Sequence, residues 1–358
     1  MSITKKHFGN LPDGRKAELY TLENGRGMKA AVTTYGAKLV QLWSLDREGK
    51  MADIITGFDT LEPYLNRNPY FGALVGRCAN RISNASFTLD GRTYQLDCNK
   101  PPHHLHGGQD GFDKRLFEAE AVEEETRDTL ILKLFSPHGD QGYPGNLWLT
   151  AEYSLTQDNE LVLHYRARTD APTPVNITNH SYFNLGGHDS GNVLGHHIWV
   201  DADAFTPTKE GGIPTGEFCA VEGTPMDLRR EVCIGERIHA DYFQLKQNQG
   251  FDINYVLNHP EKGLRRVCEL SDPGSGRRME VQTTMPGLQV YTANYLKGDF
   301  VFRGKGGHLY DENCGLCLET QFHPNTPNTP AFGTVILRPG EEYNHTTIYR
   351  FSADGEGK

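Results

Sequence analysis

Four polar clusters in the sequence combine imidazole, carboxylate, guanidinium and amide side chains in a way that strand propensity does not explain. Three are single segments: VGRCANRIS with Asn80 and Arg81, HHLHGGQDGFDKR with His103, His104 and His106, and NITNHSYFNLGG with His180 and Tyr182. The fourth combines two segments, GFDINYVL with Asp252 and LETQFHPNTPN with Glu319. A histidine titrates near neutral pH and burial tunes a carboxylate upward, which suits acid–base chemistry. Sugar hydroxyls both donate and accept hydrogen bonds, and these side chains supply the complementary groups. The residue types therefore predict a site that moves protons on a polyhydroxylated ligand.

Motifs for covalent or nucleotide chemistry are missing from the sequence. No GxSxG elbow occurs, and Ser181 follows His180 without the strand–turn–helix pattern of such a nucleophile. Neither a Walker loop nor a GxGxxG after a strand is present. Cys314 and Cys317 have CxxC spacing, but no second pair stands at zinc-ribbon distance, so we interpret them as core cysteines on a strand.

Composition narrows the class of protein further. Hydrophobic residues make up 37% of the 358 residues and charged residues 23%, as in a folded globular protein. No apolar run approaches the roughly 18 residues of a membrane-spanning helix. The net charge of −10 argues against a broad nucleic-acid interface. The start of the sequence has no apolar stretch after its two lysines, and the seven cysteines are scattered, so we expect no secretory signal, reduced thiols and a cytoplasmic location.

The pattern along the chain indicates strands almost throughout. Apolar residues alternate with polar ones in TLILKLF, NLWLTAEYSL and LVLHYRAR, and turn signals such as LDGR, GYPGN, TQDNE and RPGEE separate such runs. Short helices are predicted only near Leu61, in LEPYLNR, and near Glu231, in EVCIGERI. Many strands with frequent turns predict an all-β protein, a large antiparallel β-sandwich, formed as one domain over residues 1–358.

The sequence resembles the aldose 1-epimerases, or galactose mutarotases. The matching motifs, in the order of the family, are GRCANRI, LHGGQDGFDKR, GDQGYPGNL, NITNHSYFNLGG, GFDINYVL, PGLQVYTANYL and LETQFHPN. They extend from about Gly72 to Pro330, which is most of the chain. The resemblance implies a mutarotase-like β-sandwich with an open sugar cleft, no cofactor and no metal, and interconversion of the α and β anomers of free aldohexoses such as galactose and glucose.

The resemblance also implies roles for individual residues. Glu319 matches the general base, His180 the general acid, and His106 the imidazole beside the ring oxygen. Further positions are expected to contact the sugar: Arg81 and Asp252 as ligands of hydroxyls, with Asn80, Tyr182 and Gln289 nearby. Removal of the proton from the C1 hydroxyl and donation of one to the ring oxygen would open the pyranose, and the reverse steps after rotation about C1–C2 would close it.

Two segments depart from the family pattern. NKPPHHLHGG has Lys100, Pro101, Pro102 and His103 where an amide-rich approach is common, which bears on hydroxyl selectivity. Asn325 stands where an aspartate is usual, and we expect this to alter a loop rather than the chemistry.

Three other functions are compatible with parts of the pattern. A metal-dependent cupin-like enzyme would use His104, His106 and Glu319. A sugar-phosphate epimerase would need a convergent arginine cluster, whereas the adjacent arginine pairs of this chain are predicted to be solvated at the surface: Arg229 and Arg230, Arg265 and Arg266, Arg277 and Arg278. A non-catalytic carbohydrate-binding protein would dispense with the Glu and His pair. The expected partner is a small sugar, with no nucleic acid or membrane, and the protein is expected to be a monomer or homodimer.

Overall fold

The computed structural model describes residues 2–66 and 68–354, and its largest unit is an antiparallel sheet of nine strands. In spatial order these strands are Glu118–Glu123, Arg127–Ser136, Leu147–Thr156, Glu160–Thr169, Tyr343–Ala353, Arg277–Thr283, Arg265–Ser271, His197–Val200 and Val232–Cys233. TLILKLF, NLWLTAEYSL and LVLHYRAR are confirmed as strands, and the structure makes them neighbours in this sheet. In Leu147–Thr156 the alternate residues from Leu147 to Leu155 are buried, as the period-two pattern requires.

A second sheet of six strands lies against the first. In spatial order its strands are Tyr182–Phe183, Leu316–Gln321, Gly287–Tyr291, Asp252–Val256, Ala204–Thr206 and Cys219–Ala220. The Phe183 ring lies 5.1 Å from the Tyr349 ring, and the hydroxyls of Thr320 and Thr347 are 2.6 Å apart. Because successive side chains on a strand point to opposite faces, the residues on either side of Thr320 face away from the nine-stranded sheet. That outer face carries the polar site.

The remaining strands form a five-stranded sheet and six small ladders within the described part of the chain. The five strands are Ser2–Asn10, Lys16–Glu23, Lys29–Thr33, Leu39–Leu45 and Met51–Asp53. The ladders pair Arg81–Ile82 with His104–Leu105, Ala73–Val75 with Thr178–His180, Ser86–Leu89 with Arg92–Gln95, Thr173–Pro174 with Ile336–Leu337, Thr208–Lys209 with Ile213–Pro214, and Phe302–Arg303 with Leu309–Tyr310. Every ladder is antiparallel, which confirms the predicted all-β antiparallel class.

Helices are short and few among the described residues. Glu62–Leu65 and Ile234–Arg237 lie where LEPYLNR and EVCIGERI predicted them, and a third helix, Phe243–Asn248, was not predicted. Its sequence, FQLKQN, has too few residues to establish a helical period. No helix in residues 2–66 or 68–354 is long and apolar enough to cross a membrane.

One arginine overturns the prediction that the adjacent arginine pairs are solvated. Arg277 is 2% exposed, and its guanidinium donates to the carbonyl oxygens of Leu185, Ser44 and Lys50 at 2.8, 3.2 and 3.0 Å. The Leu185 carbonyl lies in a loop, and the other two lie in the hairpin that Leu39–Leu45 forms with Met51–Asp53. The fork of guanidinium donors satisfies several such acceptors at once, which the strand pattern of the sequence does not reveal.

Arg77 anchors the segment that leads into the polar site. It is 1% exposed, and its guanidinium donates to the carbonyls of Pro144 and Gly145 at 2.8 and 3.0 Å. The hydroxyls of Ser136 and Thr173 accept from the same group at 2.6 and 3.1 Å. The guanidinium thus ties the GRCANRI segment to two loops that are distant in sequence.

Arg77→Met is expected to lower the free energy of unfolding by about 3 kcal/mol or more, because each buried acceptor left without a donor costs about 1–3 kcal/mol. Urea denaturation followed by fluorescence measures this change. The matched control is Arg350→Met, which removes a half-exposed partner of Glu160 and is expected to cost about 1 kcal/mol or less. Equal losses in the two variants would contradict the anchoring role of Arg77.

Candidate active site

Glu319 and His180 meet on the outer face of the six-stranded sheet. Glu319 is the fourth residue of Leu316–Gln321, and His180 ends the short strand Thr178–His180, which pairs with Ala73–Val75. The Oε1 atom of Glu319 lies 3.8 Å from Nε2 of His180, and their side chains are only 2% and 5% exposed. Two residues that are far apart in sequence therefore share one buried site, as the proposed acid–base pair requires.

Burial changes the acidity of both members of this pair. It raises the pKa of Glu319 well above its ordinary value; the carboxylate of Asp252 adds to this rise, and the guanidinium of Arg81 opposes it. Burial lowers the pKa of His180 to about 4. Both shifts have the same cause, because removal from water disfavours whichever form carries charge. In the free protein burial therefore favours the neutral form of both the carboxyl and the imidazole.

His106 lies beside His180 in a strained backbone position. Its φ is +49°, a left-handed value that costs energy for a residue with a side chain, and its ring centre lies 5.2 Å from that of His180. Its Nδ1 accepts the backbone N–H of Asn80 at 3.2 Å, which leaves Nε2 as the protonated nitrogen of the neutral ring. Burial, with the charges of His180 and Arg81, lowers the pKa of His106 well below its ordinary value. His106 is thus a neutral hydrogen-bond donor.

The glycine after His106 is required by the fold of this turn. Gly107 has a φ of +87°, and a Cβ atom there would lie 1.8 Å from the carbonyl oxygen of Gly76. Close contact between these two backbone segments sets the position of His106, which explains the LHGG sequence in physical terms.

Arg81, Asp252 and Gln289 form a charged network beside the pair. Arg81 Nη2 lies 3.9 Å from Asp252 Oδ2, and the Gln289 amide donates to Asp252 Oδ1 at 2.6 Å. Asn80 Oδ1 accepts from Arg81 Nη1 at 3.2 Å. Gln289 lies directly opposite Glu319 in the ladder between Gly287–Tyr291 and Leu316–Gln321. Strand register thus connects the charged network to the proton-transfer pair.

Several buried polar atoms at this site have no hydrogen-bond partner among the described residues. They are Glu319 Oε2, Gln289 Oε1, Arg81 Nε, Asn254 Oδ1 and both amide atoms of Gln321. Buried polar groups in folded proteins are nearly always paired, so such a concentration marks a place where ligand groups bind. The mixture of donors and acceptors is suited to hydroxyl groups rather than to an apolar or purely anionic ligand.

Three tyrosines form the aromatic wall around His180. The Tyr182 ring stacks on His180 with centres 5.1 Å apart, and its hydroxyl donates to the Pro69 carbonyl at 2.9 Å. Tyr70 lies 4.7 Å from the ring of His106 and stacks on His180 at 5.8 Å. Tyr291 contacts His180 edge-on at 6.3 Å. The hydroxyl of Tyr182 is therefore engaged with the backbone, and its ring supports the imidazole.

A profile of the aldose 1-epimerase family matches residues 18–350. The chain belongs to the aldose 1-epimerase family. The galactose mutarotase of Bos taurus is 44% identical over 98% of this chain and 99% of its own length. The aldose 1-epimerase of Escherichia coli (strain K12) is 38% identical over 96% of this chain and 97% of its own. These comparisons confirm the predicted family and its activity class, an isomerase that acts on carbohydrates.

Solved structures agree with the fold. The structure of galactose 1-epimerase from Lactobacillus acidophilus NCFM matches with a TM-score of 0.86 at 28% identity, covering 98% of this chain and 99% of its own. The aldose epimerase homologue from C. elegans matches with a TM-score of 0.85 at 29% identity over 94% of this chain and 98% of its own. The predicted β-sandwich of the aldose 1-epimerase family is thereby confirmed.

The two departures from the family pattern lie at the edge of the aldose 1-epimerase site. His103 Nδ1 accepts the N–H of Asn84 at 3.1 Å, so the altered segment is tied to the loop after Arg81. Asn325 Oδ1 accepts the N–H of Ser83 at 2.9 Å. That the second departure alters a loop rather than the chemistry stays a prediction.

The metal-site alternative finds no support in the geometry. Among residues 2–66 and 68–354, no three His, Cys, Asp or Glu side chains are arranged to hold a metal ion. His104 is engaged elsewhere, since its Nε2 lies 2.7 Å from the Tyr143 hydroxyl and its Nδ1 lies 2.6 Å from the Asp97 carbonyl. The cupin-like set of His104, His106 and Glu319 therefore does not assemble.

Sequence reasoning missed several residues that line or adjoin the site, Tyr291 and Asn254 among them. Tyr295 donates to Asp252 Oδ2 at 3.3 Å, Cys317 Sγ lies 3.5 Å from His180 Nδ1, and Tyr70 and Gln321 occupy the positions described above. Period-two alternation from Glu319 was the available signal for Cys317 and Gln321, because residues two apart on a strand share a face. No signal of that kind existed for Tyr70, which reaches the site from a loop.

Glu319→Gln is expected to gain stability relative to the unsubstituted protein as pH rises above 4.5, the ordinary pKa of this carboxyl. Between that value and the raised folded pKa, folding takes up a proton, so the free energy of unfolding falls with rising pH. Glutamine does not titrate and avoids this loss. Urea unfolding at about pH 5 and about pH 8 measures the difference, with the exposed Glu48→Gln as control. A difference that moves against the variant at higher pH would refute the buried-carboxyl explanation.

Proposed function

We propose that this protein interconverts the α and β anomers of free aldohexoses, such as galactose and glucose, by acid–base opening and reclosure of the pyranose ring. The observation that carries the proposal is the placement of Glu319 Oε1 and His180 Nε2 3.8 Å apart, on strands that meet at one buried polar site. A carboxylate and an imidazole so placed can act on two neighbouring oxygens of one ligand. The hemiacetal of a sugar presents such a pair, the C1 hydroxyl and the ring oxygen.

The reaction uses the pair in both directions. Glu319 takes the proton of the C1 hydroxyl while His180 gives a proton to the ring oxygen, so the C1–O5 bond breaks without a free alkoxide. The resulting aldehyde turns about the C1–C2 bond. Protonated Glu319 then returns its proton to the aldehyde oxygen as neutral His180 removes the one on the O5 hydroxyl, and the ring closes on the other face.

The proton count of the pair is unchanged between its resting and reactive forms. Burial favours neutral Glu319 and neutral His180, whereas the reaction begins from a carboxylate and an imidazolium. These two states contain the same single proton, held by a different partner. Catalysis therefore needs a proton to move within the site, with no exchange with solvent.

The other predicted residues orient the sugar in this proposal. His106 donates from its Nε2 to the region of the ring oxygen, while Arg81 and Asp252 hold hydroxyls remote from C1. Asn80 and Gln289 support the charged pair through the contacts given above, and they border the same space. Positioning of this kind converts a slow solution reaction into one with reactive groups already aligned.

The alternative functions are less well supported. The arginine pairs do not converge on the site: Arg229 binds Asp227, Arg266 stacks on Trp199, and Arg277 is buried against backbone carbonyls. A sugar-phosphate epimerase would require several of them together. A non-catalytic sugar-binding protein would have no reason to bury a carboxyl beside an imidazole at the cost of desolvating both.

Further proposals concern the context of the enzyme. We propose that residues 1–358 act as one domain, since a single apolar cluster includes residues of all three main sheets, such as Leu22, Leu149 and Leu318. All seven cysteines are free thiols, which is typical of the reducing cytoplasm. The protein is proposed to be a monomer or homodimer with a small sugar as its partner and neither nucleic acid nor membrane as a ligand.

Glu319→Gln is expected to bind galactose but lose at least about 100-fold in turnover, because a positioned proton transfer contributes roughly 10²–10⁴-fold. Polarimetry of freshly dissolved α-D-galactose measures turnover, and calorimetry measures binding. Glu48→Gln serves as the control for loss of a carboxyl. Turnover of Glu319→Gln at the unsubstituted rate would remove Glu319 from the mechanism.

The value of kcat/KM for galactose is expected to fall on the acid side with an apparent pKa near 4. The fall of kcat/KM on the acid side reflects the binding of a second proton to the pair of Glu319 and His180. Its midpoint lies near 4 because burial has lowered the pKa of His180 to about 4. The alkaline limb reports loss of the remaining proton, above the ordinary carboxyl range. Polarimetry over a series of buffers measures both limbs. An acid midpoint at the ordinary histidine value of 6.5 would contradict this assignment.

A further inference from the structure

A buried thiol contacts the imidazole of the acid–base pair on the side away from Glu319. Cys317 Sγ lies 3.5 Å from His180 Nδ1, and Cys317 is fully buried. Cys317 precedes Glu319 by two residues on Leu316–Gln321, so both side chains leave the strand on the same face. One strand therefore presents a thiol to Nδ1 and a carboxyl to Nε2 of the same ring.

The partner of one imidazole nitrogen decides which nitrogen exchanges a proton. A neutral imidazole carries hydrogen on one nitrogen only, and a hydrogen bond from Nδ1 fixes Nε2 as the basic atom. Ring nitrogens in other enzymes are fixed in this way by carboxylates or backbone carbonyls. In this site the sulfur of Cys317 stands in the corresponding position, and the backbone of His180 itself also favours the charged ring.

The thiol stays neutral in this environment. Burial raises the pKa of Cys317 well above its ordinary value, and the nearby carboxyl of Glu319 raises it further. A thiolate would pair with the imidazolium and hold its proton, whereas a neutral sulfur is only a weak acceptor. A weak partner orients the ring without making it a poorer acid.

We propose that Cys317 is a positioning residue for the mutarotase reaction: its Sγ accepts the Nδ1–H of His180, so that Nε2, facing Glu319, is the nitrogen that gains and loses the proton. This inference rests on the proposed function, in which His180 is the acid. It also assigns a role to one member of the CxxC sequence. Cys314, the other member, has no such contact with His180, and both are free thiols.

The tautomer of His180 tests the proposal without measuring turnover. Full-length protein with 15N-labelled histidine is examined by long-range 1H–15N correlation at neutral pH, and the His180 signals are assigned by their loss in His180→Asn. The unsubstituted protein and Cys314→Ala are expected to show hydrogen on Nδ1. Cys317→Ala is expected to show a large Nε2–H population, because Nδ1–H has lost its acceptor. Retention of the Nδ1–H form in Cys317→Ala would overturn the proposal.

Turnover provides the second readout. Cys317→Ala is expected to lose on the order of 10-fold in kcat for galactose with KM unchanged, the lower end of the range for loss of an orienting partner. Cys317→Ser, which retains an acceptor at the position, is expected to restore most of kcat and the Nδ1–H tautomer. Cys314→Ala, a buried cysteine changed in the same way, should retain full kcat. Equal losses in Cys314→Ala and Cys317→Ala, or no recovery in Cys317→Ser, would indicate a packing effect and overturn the proposal.

The two readouts separate this inference from the proposed function. If the unsubstituted protein fails to accelerate mutarotation, the proposed function fails, yet the tautomer comparison still decides whether Cys317 fixes the ring. If mutarotation occurs but the tautomer of His180 is the same in all variants, the function stands and the role of Cys317 is rejected.

Discussion

The rest of the structure depends on the burial of one carboxyl and one imidazole at contact distance. Desolvation favours protonated Glu319 and neutral His180, and the guanidinium of Arg81 opposes the first of these shifts. The pair therefore shares one titratable proton, which burial favours on Glu319 and disfavours on His180. A polar ligand that hydrogen-bonds to both groups can redistribute that proton, because it replaces part of the lost solvation with fixed partners.

A rigid backbone holds Glu319 and His180 in place although desolvation of the two side chains costs free energy. Glu319 lies inside a ladder whose partner strand carries Gln289 directly opposite, and the other face of that sheet packs on the apolar core. His106 and Asn80 adopt left-handed φ values of +49° and +56°, which cost energy unless the surroundings impose them. Arg77 supplies part of that constraint by holding the segment before Asn80 to two distant loops. Part of the folding free energy thus maintains a strained backbone that positions polar groups.

How much the sequence predicts depends on how local each signal is. Alternation in NLWLTAEYSL is a local consequence of one buried face, and it predicted a central strand of the nine-stranded sheet. The site residues were predicted from a combination of motifs, because no periodicity in the sequence indicates that Glu319 and His180 lie 3.8 Å apart. Arg277 was misassigned since its acceptors are carbonyls from two segments far apart in sequence, which only the folded chain brings together. Tyr70 was missed for the same reason, as it reaches the histidines from a loop.

Charge at the end of the site that we propose holds the sugar hydroxyls also acts on the end that we propose transfers protons. Asp252 raises the pKa of Glu319 and Arg81 lowers it, so the basicity of Glu319 depends on how those two charges are paired and solvated. Gln289 couples the ends physically, because its amide donates to Asp252 at 2.6 Å while its strand position lies opposite Glu319. A hydroxyl bound between Arg81 and Asp252 excludes water from both charges, and charges act more strongly where water is excluded. In the proposed reaction, recognition of hydroxyls remote from C1 would therefore contribute to the barrier as well as to affinity, since the same side chains set the basicity of Glu319.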